Sequence, residues 1–316
     1  MKKLLIYTAA VVLVGGLILW FIAPKEKANE KKDNREYATL LLQVHTEEAP
    51  DVDPEVIMEQ TAECLENRLD RIVPNEFNIE LMDDNRLKVN ISAKEYSDTA
   101  LAQRIANILE RRSKLQLLTT YPNYEVWTQI ESADSKDAIN NESIASLISP
   151  VKDGYACLGY AHREDTAKIN QMFNNLAAQS LLPKNLKPMW SIVSPSGMLE
   201  LVAIRYDGKA PLDENDIESA EAKYDGYDYG AYVAFNMTKS GTIKWAELTG
   251  NNVGRQIAIV LDGCVYSYPR VNERIVGGQC SICGNFTYEE AEDLANILEF
   301  NNLPVNVSIL DAALSE

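Results

Sequence analysis

Two hydrophobic periods alternate along the chain. Thr39 to Val44 is a short apolar run that reads as a strand, and Asp53-Pro54-Glu55 then supplies an N-cap, a proline at the first helical position and an acid in the first turn. Behind it Val56, Ile57, Cys64, Leu65, Leu69 and Ile72 recur at helical spacing until Pro74. Phe77, Ile79 and Leu81 alternate with polar residues, Asp83-Asp84-Asn85 marks a turn, and Leu87, Val89 and Ile91 alternate again. That pattern predicts a hairpin with one buried face. A second helix starts near Asp98, with Leu101, Ile105, Ile108 and Leu109 on its apolar side, and Leu115 to Thr119 follows as another strand.

The order to this point, β-α-β-β-α-β, is that of a ferredoxin-like unit. Beyond Tyr121 the pattern loosens. Ser132 to Pro150 reads as polar loop with weak helix, and Asp165 to Gln179 as a helix on Ile169, Met172, Phe173 and Leu176. A strand at Leu199–Ile204, a short polar helix at Asp213–Lys223, a strand at Ala231–Met237 and a helix near Gly241–Leu248 follow. Gln256–Leu261 and Val265–Tyr268, ending at Pro269, flank Asp262-Gly263, a strong hairpin signal. Thr287-Tyr288-Glu289-Glu290 is a capping box opening a helix that carries Ala291, Leu294, Ala295 and Leu298 on one face. Pro304 leads into Val305, Val307 and Ile309, a last alternating strand.

The N-terminus has neither period. Leu4 to Ala23 is twenty residues without a formal charge, enough for a helix of about 30 Å, the hydrocarbon thickness of a bilayer. No small-residue cleavage site closes the run, so it reads as an uncleaved single-span anchor (4–23) behind a three-residue tip (1–3). Residues 24–35, charged and aperiodic, read as a solvated tether. Taken literally, the lysines on both flanks would place the body in the cytoplasm.

The net charge of −17 divides unevenly: Met1–Arg35 is +4 and the rest −21. So acidic a body repels a phosphate backbone, which excludes nucleic acid as a partner. Only two histidines are present, His45 and His162, far apart, and there is no nucleophile elbow, phosphate loop or dinucleotide fingerprint. Asp225-Gly-Tyr-Asp-Tyr-Gly230 lacks the spacing and the final glutamate of a calcium loop. Cys280 and Cys283 lie on a predicted strand, on opposite faces, and give neither a redox pair nor a zinc site. The expectation is no enzyme, no cofactor and no metal.

The last third carries a specific resemblance. Asn252-Val-Gly-Arg-Gln-Ile-Ala-Ile-Val-Leu-Asp262-Gly263-Cys-Val-Tyr-Ser-Tyr-Pro269 resembles the periplasmic domain of SecD, or of the fused SecDF, an auxiliary of the Sec translocase. So do Ile275-Val-Gly277-Gly278, Ile282-Cys-Gly284-Asn-Phe286-Thr-Tyr-Glu-Glu-Ala291, Asp293-Leu-Ala-Asn296 and Leu303-Pro304, and more weakly the helix with Arg68, Leu69 and Asp70. The resemblance implies an α+β fold: a ferredoxin-like base (36–120 plus 286–311) with an inserted α+β head (121–285), preceded by one transmembrane helix. It also implies an exported body, against the literal reading of the lysines, on a single-pass protein of the bacterial inner membrane. Implied partners are Sec translocon components or a full-length SecDF, and unfolded exported polypeptides.

Within that resemblance the matching residues read as architectural. Asp262 and Gly263 form a turn, Gly277, Gly278 and Gly284 mark turns or strand ends, and Pro269, Phe286, Ala291 and Pro304 complete the structural motif. Val265, Tyr266 and Tyr268, beside a strand edge, are the candidates for contact with an extended polypeptide. Two departures qualify it. Glu36 to Val44 lacks the acidic-then-double-glycine motif of the family's first strand, and no later apolar run supplies the family's further membrane helices, so no proton coupling is expected of this chain. The expected function is a SecD-like accessory module of Sec-dependent export. The alternative is a divergent paralogue serving as an envelope interaction or regulatory domain.

Overall fold

A computed structural model of the chain describes residues 6–14, 17–25, 37–134, 143–192, 197–226, 230–299 and 303–314. The three-residue tip, most of the tether and part of the Asp225–Gly230 loop lie outside them. At the N-terminus the structure departs from the expected anchor helix. Strands β1 (Ile6–Val14) and β2 (Leu17–Lys25) pair antiparallel, Val14 opposite Leu17. The sequence reason is the Gly15-Gly16 pair between two runs rich in Val, Ile, Tyr, Phe and Trp, which is hairpin composition as much as membrane-helix composition. Among the described residues no helix is long and apolar enough to cross a membrane.

The base begins with β3 (Tyr37–Val44), whose residues alternate half-buried and buried, so one face meets a core and the other is open. Helix α1 (Pro54–Asp70) starts where expected: Asp53 Oδ1 accepts the Glu55 N–H at 3.0 Å, with Pro54 at the first helical position. Strands β4 (Phe77–Met82) and β5 (Arg86–Ser92) form the predicted hairpin. After the single turn α2 (Ala93–Tyr96), Asp98 caps α3 (Thr99–Glu110) through the N–H groups of Ala100 and Leu101. Ile57, Leu65 and Leu69 of α1 and Ile105 and Leu109 of α3 are buried against Leu40, Leu42, Leu87 and Val89 of the sheet. Each such side chain contributes about 1.5–3 kcal/mol by burial, and Leu65→Ala would remove about 2–5 kcal/mol.

The last strand of the sequence joins this sheet as expected, but one strand expected in it is missing. Leu115–Thr120 leaves the base entirely, and its place beside β3 is taken by the last strand of the chain, β17 (Val307–Leu314), giving the order β17-β3-β5-β4. Burial explains the exchange. The base sheet has helices on one face only, whereas five of the six residues of β6 (Leu115–Thr120) are buried, which demands cover on both faces.

That cover exists in the head. Helix α4 (Asn123–Asp134), α5 (Ile144–Leu147) and β7 (Ser149–Pro150) lead to β8 (Cys157–His162), α6 (Thr166–Ala178), β9 (Leu186–Trp190), β10 (Met198–Arg205) and β11 (Leu212–Asp213). Later come β14 (Ile257–Leu261) and β15 (Cys264–Ser267), and the large sheet runs β15-β14-β6-β10-β8-β7, with β11 on β6 and β9 on the far edge of β10. The edges curl together: Ser191, just past β9, bridges Val265 of β15, and the Ile192 N–H donates to the Val265 carbonyl at 3.1 Å. Leu118, Met189, Val202, Ile204, Ala258, Val260 and Val265 form one buried cluster, the interior of this curled sheet.

The opposite face is covered in two places. Trp127 and Ile130 of α4 and Ile169 and Phe173 of α6 pack on Leu201 and Ala203. Leu115, Leu117, Ile257 and Ile259 pack against a second sheet, β12-β13-β16, made of β12 (Ile217–Tyr224), β13 (Ala231–Met237) and β16 (Gln279–Phe286), and against α7 (Lys239–Asn251) and α8 (Tyr288–Glu299). Two expectations are corrected here. Asp213–Lys223, predicted as a polar helix, is mostly β12; one buried residue, Ala220, and pairing with β13 outweigh its helix-forming composition. Phe286 and α8, assigned to the base, lie on the head's second sheet, because Ala291, Leu294, Ala295 and Leu298 share a core with Val233, Phe235 and Ile282. The capping box forms as predicted, with the Thr287 N–H donating to Glu290 Oε2 at 2.8 Å and the Glu290 N–H to Thr287 Oγ1 at 3.1 Å.

Candidate functional site

The two lobes meet at a seam built on Arg68. This side chain is fully buried on α1, beside Cys64, Leu65 and Leu69, and does not reach out to solvent. Instead Nη1 donates to the carbonyls of Ile108 (2.9 Å) and Arg111 (2.6 Å), and Nη2 to Ser113 Oγ (2.6 Å). Those carbonyls lie at the C-terminal end of α3, where the helix dipole is negative and the last acceptors lack intrahelical donors. One helix thus caps another with a cation, and burial holds the guanidinium below its ordinary pKa.

The head docks on the same segment. Asp262 exchanges two hydrogen bonds with Lys114: its N–H donates to the Lys114 carbonyl at 3.1 Å, and Oδ1 accepts the Lys114 N–H at 2.9 Å. Oδ2 lies 3.6 Å from Arg111 Nε. Helix α8 adds Asn296, whose Nδ2 donates to the Arg68 carbonyl at 3.0 Å, and Asp293, which takes Arg104 in a two-pronged pair (Nη2–Oδ1 2.7 Å, Nε–Oδ2 3.0 Å) that raises the Arg104 pKa. Beside these contacts the lobes leave an open cleft of about 350 Å³ between α1, α3, β12 and α8, with Arg71, Leu101, Tyr288 and Glu292 on its walls.

The residues singled out in the sequence fall largely on this scaffold. Asp262 and Gly263 have φ of +50° and +81°, the two positive values that a two-residue type I′ hairpin turn requires. A Cβ on Gly278 would lie 2.1 Å from Thr242 Oγ1, so its bareness lets β16 approach α7, whereas Gly277 has open space and Gly284 only the Phe286 ring at 3.0 Å. Pro269 is exposed, and its carbonyl accepts the Ile257 N–H; the Pro304 carbonyl accepts Arg112 Nη2 at 3.0 Å. Ala291 is buried.

The three candidates for polypeptide contact are placed differently from expectation. The strand edge beside them is occupied by Ser191 and Ile192. Val265 is buried inside the curled sheet. Tyr266 is half-buried and stacked on Phe286 (centroids 5.9 Å apart), with its hydroxyl accepting from Arg111 Nη2. The Tyr268 hydroxyl donates to Glu200, and burial together with that bond pushes its pKa up. Sequence reasoning did not find Arg104 or Arg111 at the seam, although Arg68, four residues beyond Cys64 on an apolar helix face, was a readable sign of a buried cation.

Comparison with known proteins matches residues 198–305 to the SecDF P1 head subdomain. Protein translocase subunit SecD of Rhodothermus marinus is 35% identical over 175 residues, 53% of this chain and 27% of that protein; SecD of Rickettsia bellii is 26% identical over 247 residues, 75% of this chain and 43% of that protein. The chain therefore spans about a quarter to under half the length of these relatives. Among solved structures, SecDF in a super-membrane-facing form aligns with a TM-score of 0.56 at 21% identity, over 88% of this chain and 30% of that one. A structure described as a membrane component SecDF that enhances protein export aligns with a TM-score of 0.52 at 22% identity, over 86% of this chain and 98% of that one. These two likenesses concern the fold, and the family match lies on the segment that carries the Asp262 hairpin, β16 and α8. Residues 198–305 match the SecDF P1 head subdomain, and the chain around them is similar to SecD in sequence and to SecDF in fold.

Proposed function

We propose that this chain is a SecD-like accessory module of Sec-dependent protein export, acting without catalysis on the exported side of the membrane by engaging the translocon or emerging unfolded polypeptides. The observation that supports the reading is the match of the head segment to the SecDF P1 head, on a base-and-head fold like that of SecDF. The seam gives this fold its mechanical character. Arg68, Asp262, Asp293 and Asn296 fix the lobes at a few polar points beside an open cleft, so a load on the head is passed to α1 and α3 of the base.

The test is cross-linking of the full chain in its native membrane, followed by identification of the captured proteins. Capture of translocon subunits or of unfolded secretory polypeptides is the expected result. A normal rate of secretion in a deletion strain, together with capture of neither class, would overturn it.

A further inference from the structure

A second cleft of about 310 Å³ opens on the head, away from the seam, between the start of α4, the 153–156 loop and the paired segments that extend the β14–β15 hairpin, residues 254–256 and Arg270. Its walls are tied down. Asn123, fully buried, accepts the Gly154 N–H at 3.0 Å and donates through Nδ2 to Asp153 Oδ1 (2.9 Å) and the Cys157 carbonyl (2.8 Å). Gln256 accepts the Ala156 N–H at 2.6 Å and donates to the Tyr268 carbonyl at 2.9 Å. Backbone pairing of Gly254 and Arg255 with Val271, at 2.7 and 2.8 Å, fixes the third wall.

What this rigid frame presents to solvent is chemically unusual for so acidic a body. Tyr124 and Tyr155 line the cleft 52% and 43% exposed. Arg255 and Arg270 line it too, both exposed, and among the described residues neither forms an ion pair. The one carboxylate on the wall, Asp153, is turned to its own loop, accepting from Asn123 and from the Tyr155 N–H at 3.0 Å. Two unpaired guanidiniums beside two exposed phenol rings, on a chain of net charge −17, form a site for a carboxylate flanked by something flat or apolar. At about 310 Å³ the cleft is at the small end of ligand pockets, so it suits one or two residues of an extended chain.

We propose that this cleft is a recognition subsite for an acidic residue in an extended polypeptide, with Arg255 and Arg270 taking the carboxylate and Tyr124 and Tyr155 flanking the neighbouring residue. The inference rests on the reading that the domain engages unfolded polypeptides, and it adds a sequence preference to that engagement. Arg255 stands in the run that resembles SecD, between the turn at Gly254 and Gln256, and no architectural role accounts for its side chain.

The test measures fluorescence anisotropy of the full chain with an unstructured peptide carrying an Asp-Tyr pair, and with the same peptide carrying Asn-Tyr. Wild type should prefer the acidic peptide by about tenfold at low salt, with the preference shrinking as salt is added. The R255Q/R270Q double variant, at exposed positions, should keep its thermal midpoint and its affinity for the Asn peptide while losing the preference. Charge reversal, R255E/R270E, should favour a Lys-Tyr peptide instead. An unchanged acidic preference in R255Q/R270Q would overturn the subsite and leave the polypeptide-engaging reading standing. Competition by free glutarate as effective as that of the peptide would assign the cleft to a small anion and also overturn the proposal. Failure of every peptide to bind wild type would overturn both readings.

Discussion

Arg68→Met tests whether a cation really holds the two lobes' shared segment together. Methionine keeps the apolar stem and much of the volume, but removes the donors from the Ile108 and Arg111 carbonyls and from Ser113 Oγ. The Ser113 hydroxyl can turn to another partner, and the Arg111 contact is only partly buried, so water can replace it. The buried Ile108 carbonyl cannot be rescued in this way, and an orphaned buried acceptor costs about 1–3 kcal/mol. Loss of a positive charge at a helix C-terminus adds about 0.3–2 kcal/mol. Relief from burying a guanidinium works in the opposite direction, but that relief prevails when a whole buried polar set is replaced, not when one member goes and its acceptors stay. The expected net loss is about 2–3 kcal/mol, and Arg68→Ala should exceed it because a cavity is added. Urea unfolding followed by circular dichroism gives the total. Hydrogen exchange gives the place: amides of residues 109–113 should exchange faster, while those of β14 stay protected. An Arg68→Met protein within about 0.5 kcal/mol of wild type, with unchanged exchange at 109–113, would refute the capping argument.

Three further outcomes follow from local geometry. Gly278→Ala should destabilise by about 1–3 kcal/mol, because the added methyl meets Thr242 Oγ1 at 2.1 Å, whereas Gly277→Ala, with open space around it, should leave the melting temperature unchanged. Burial raises the carboxyl pKa of Glu214, so the folded state binds its proton more readily than the unfolded chain does; this side chain favours folding as pH falls and opposes it above its folded pKa. Glu214→Gln should therefore raise the thermal midpoint near neutral pH, with the gain closing towards about pH 4, and an equal gain at both would count against the burial argument. Burial pushes the Cys280 thiol up to about 12 and the Cys157 thiol up to about 11, while Cys264 is exposed at the hairpin. Iodoacetamide on native protein should modify Cys264 first, half-buried Cys280 more slowly, and buried Cys157 only after denaturation, as read by peptide mass spectrometry.

Much of the base was legible because its sheet is covered on one side only. Leu87, Val89 and Ile91 alternate visibly, and Asp53 and Asp98 announce their helices with capping chemistry. The same was true of Asp262-Gly263 and of Thr287 with Glu290, where a turn or cap demands particular residue types. Legibility failed where tertiary partners decide. Leu115–Thr120 could be recognised as a strand, but its two adjacent inward and outward leucines, Leu117 and Leu118, belong to different cores of the head, and only that double burial shows which sheet it joins. Helix α4 was hidden by its mixed surface, and β12 by glutamates and alanines that prefer helices in isolation. At the site, exposure was the invisible variable. Tyr266 and Tyr268 looked available in sequence and are committed to Arg111 and Glu200, whereas Tyr124 and Tyr155, in a segment without pattern, are among the rings that face solvent.

Closure of the base by β17 also sets an order of events as the chain is made. His45 Nε2 meets Ser308 Oγ at 2.9 Å across 263 residues, so β3 stays without one neighbour until nearly everything between has been synthesised. In that interval β5, with β4 beyond it, can already pair with β3 on its other side, and the exposed edge of β3 is an open template for a wrong strand. A newly made molecule would thus carry an open-edged base through most of its synthesis, and the slow step in closing that base would be the arrival of a strand 263 residues away in the chain.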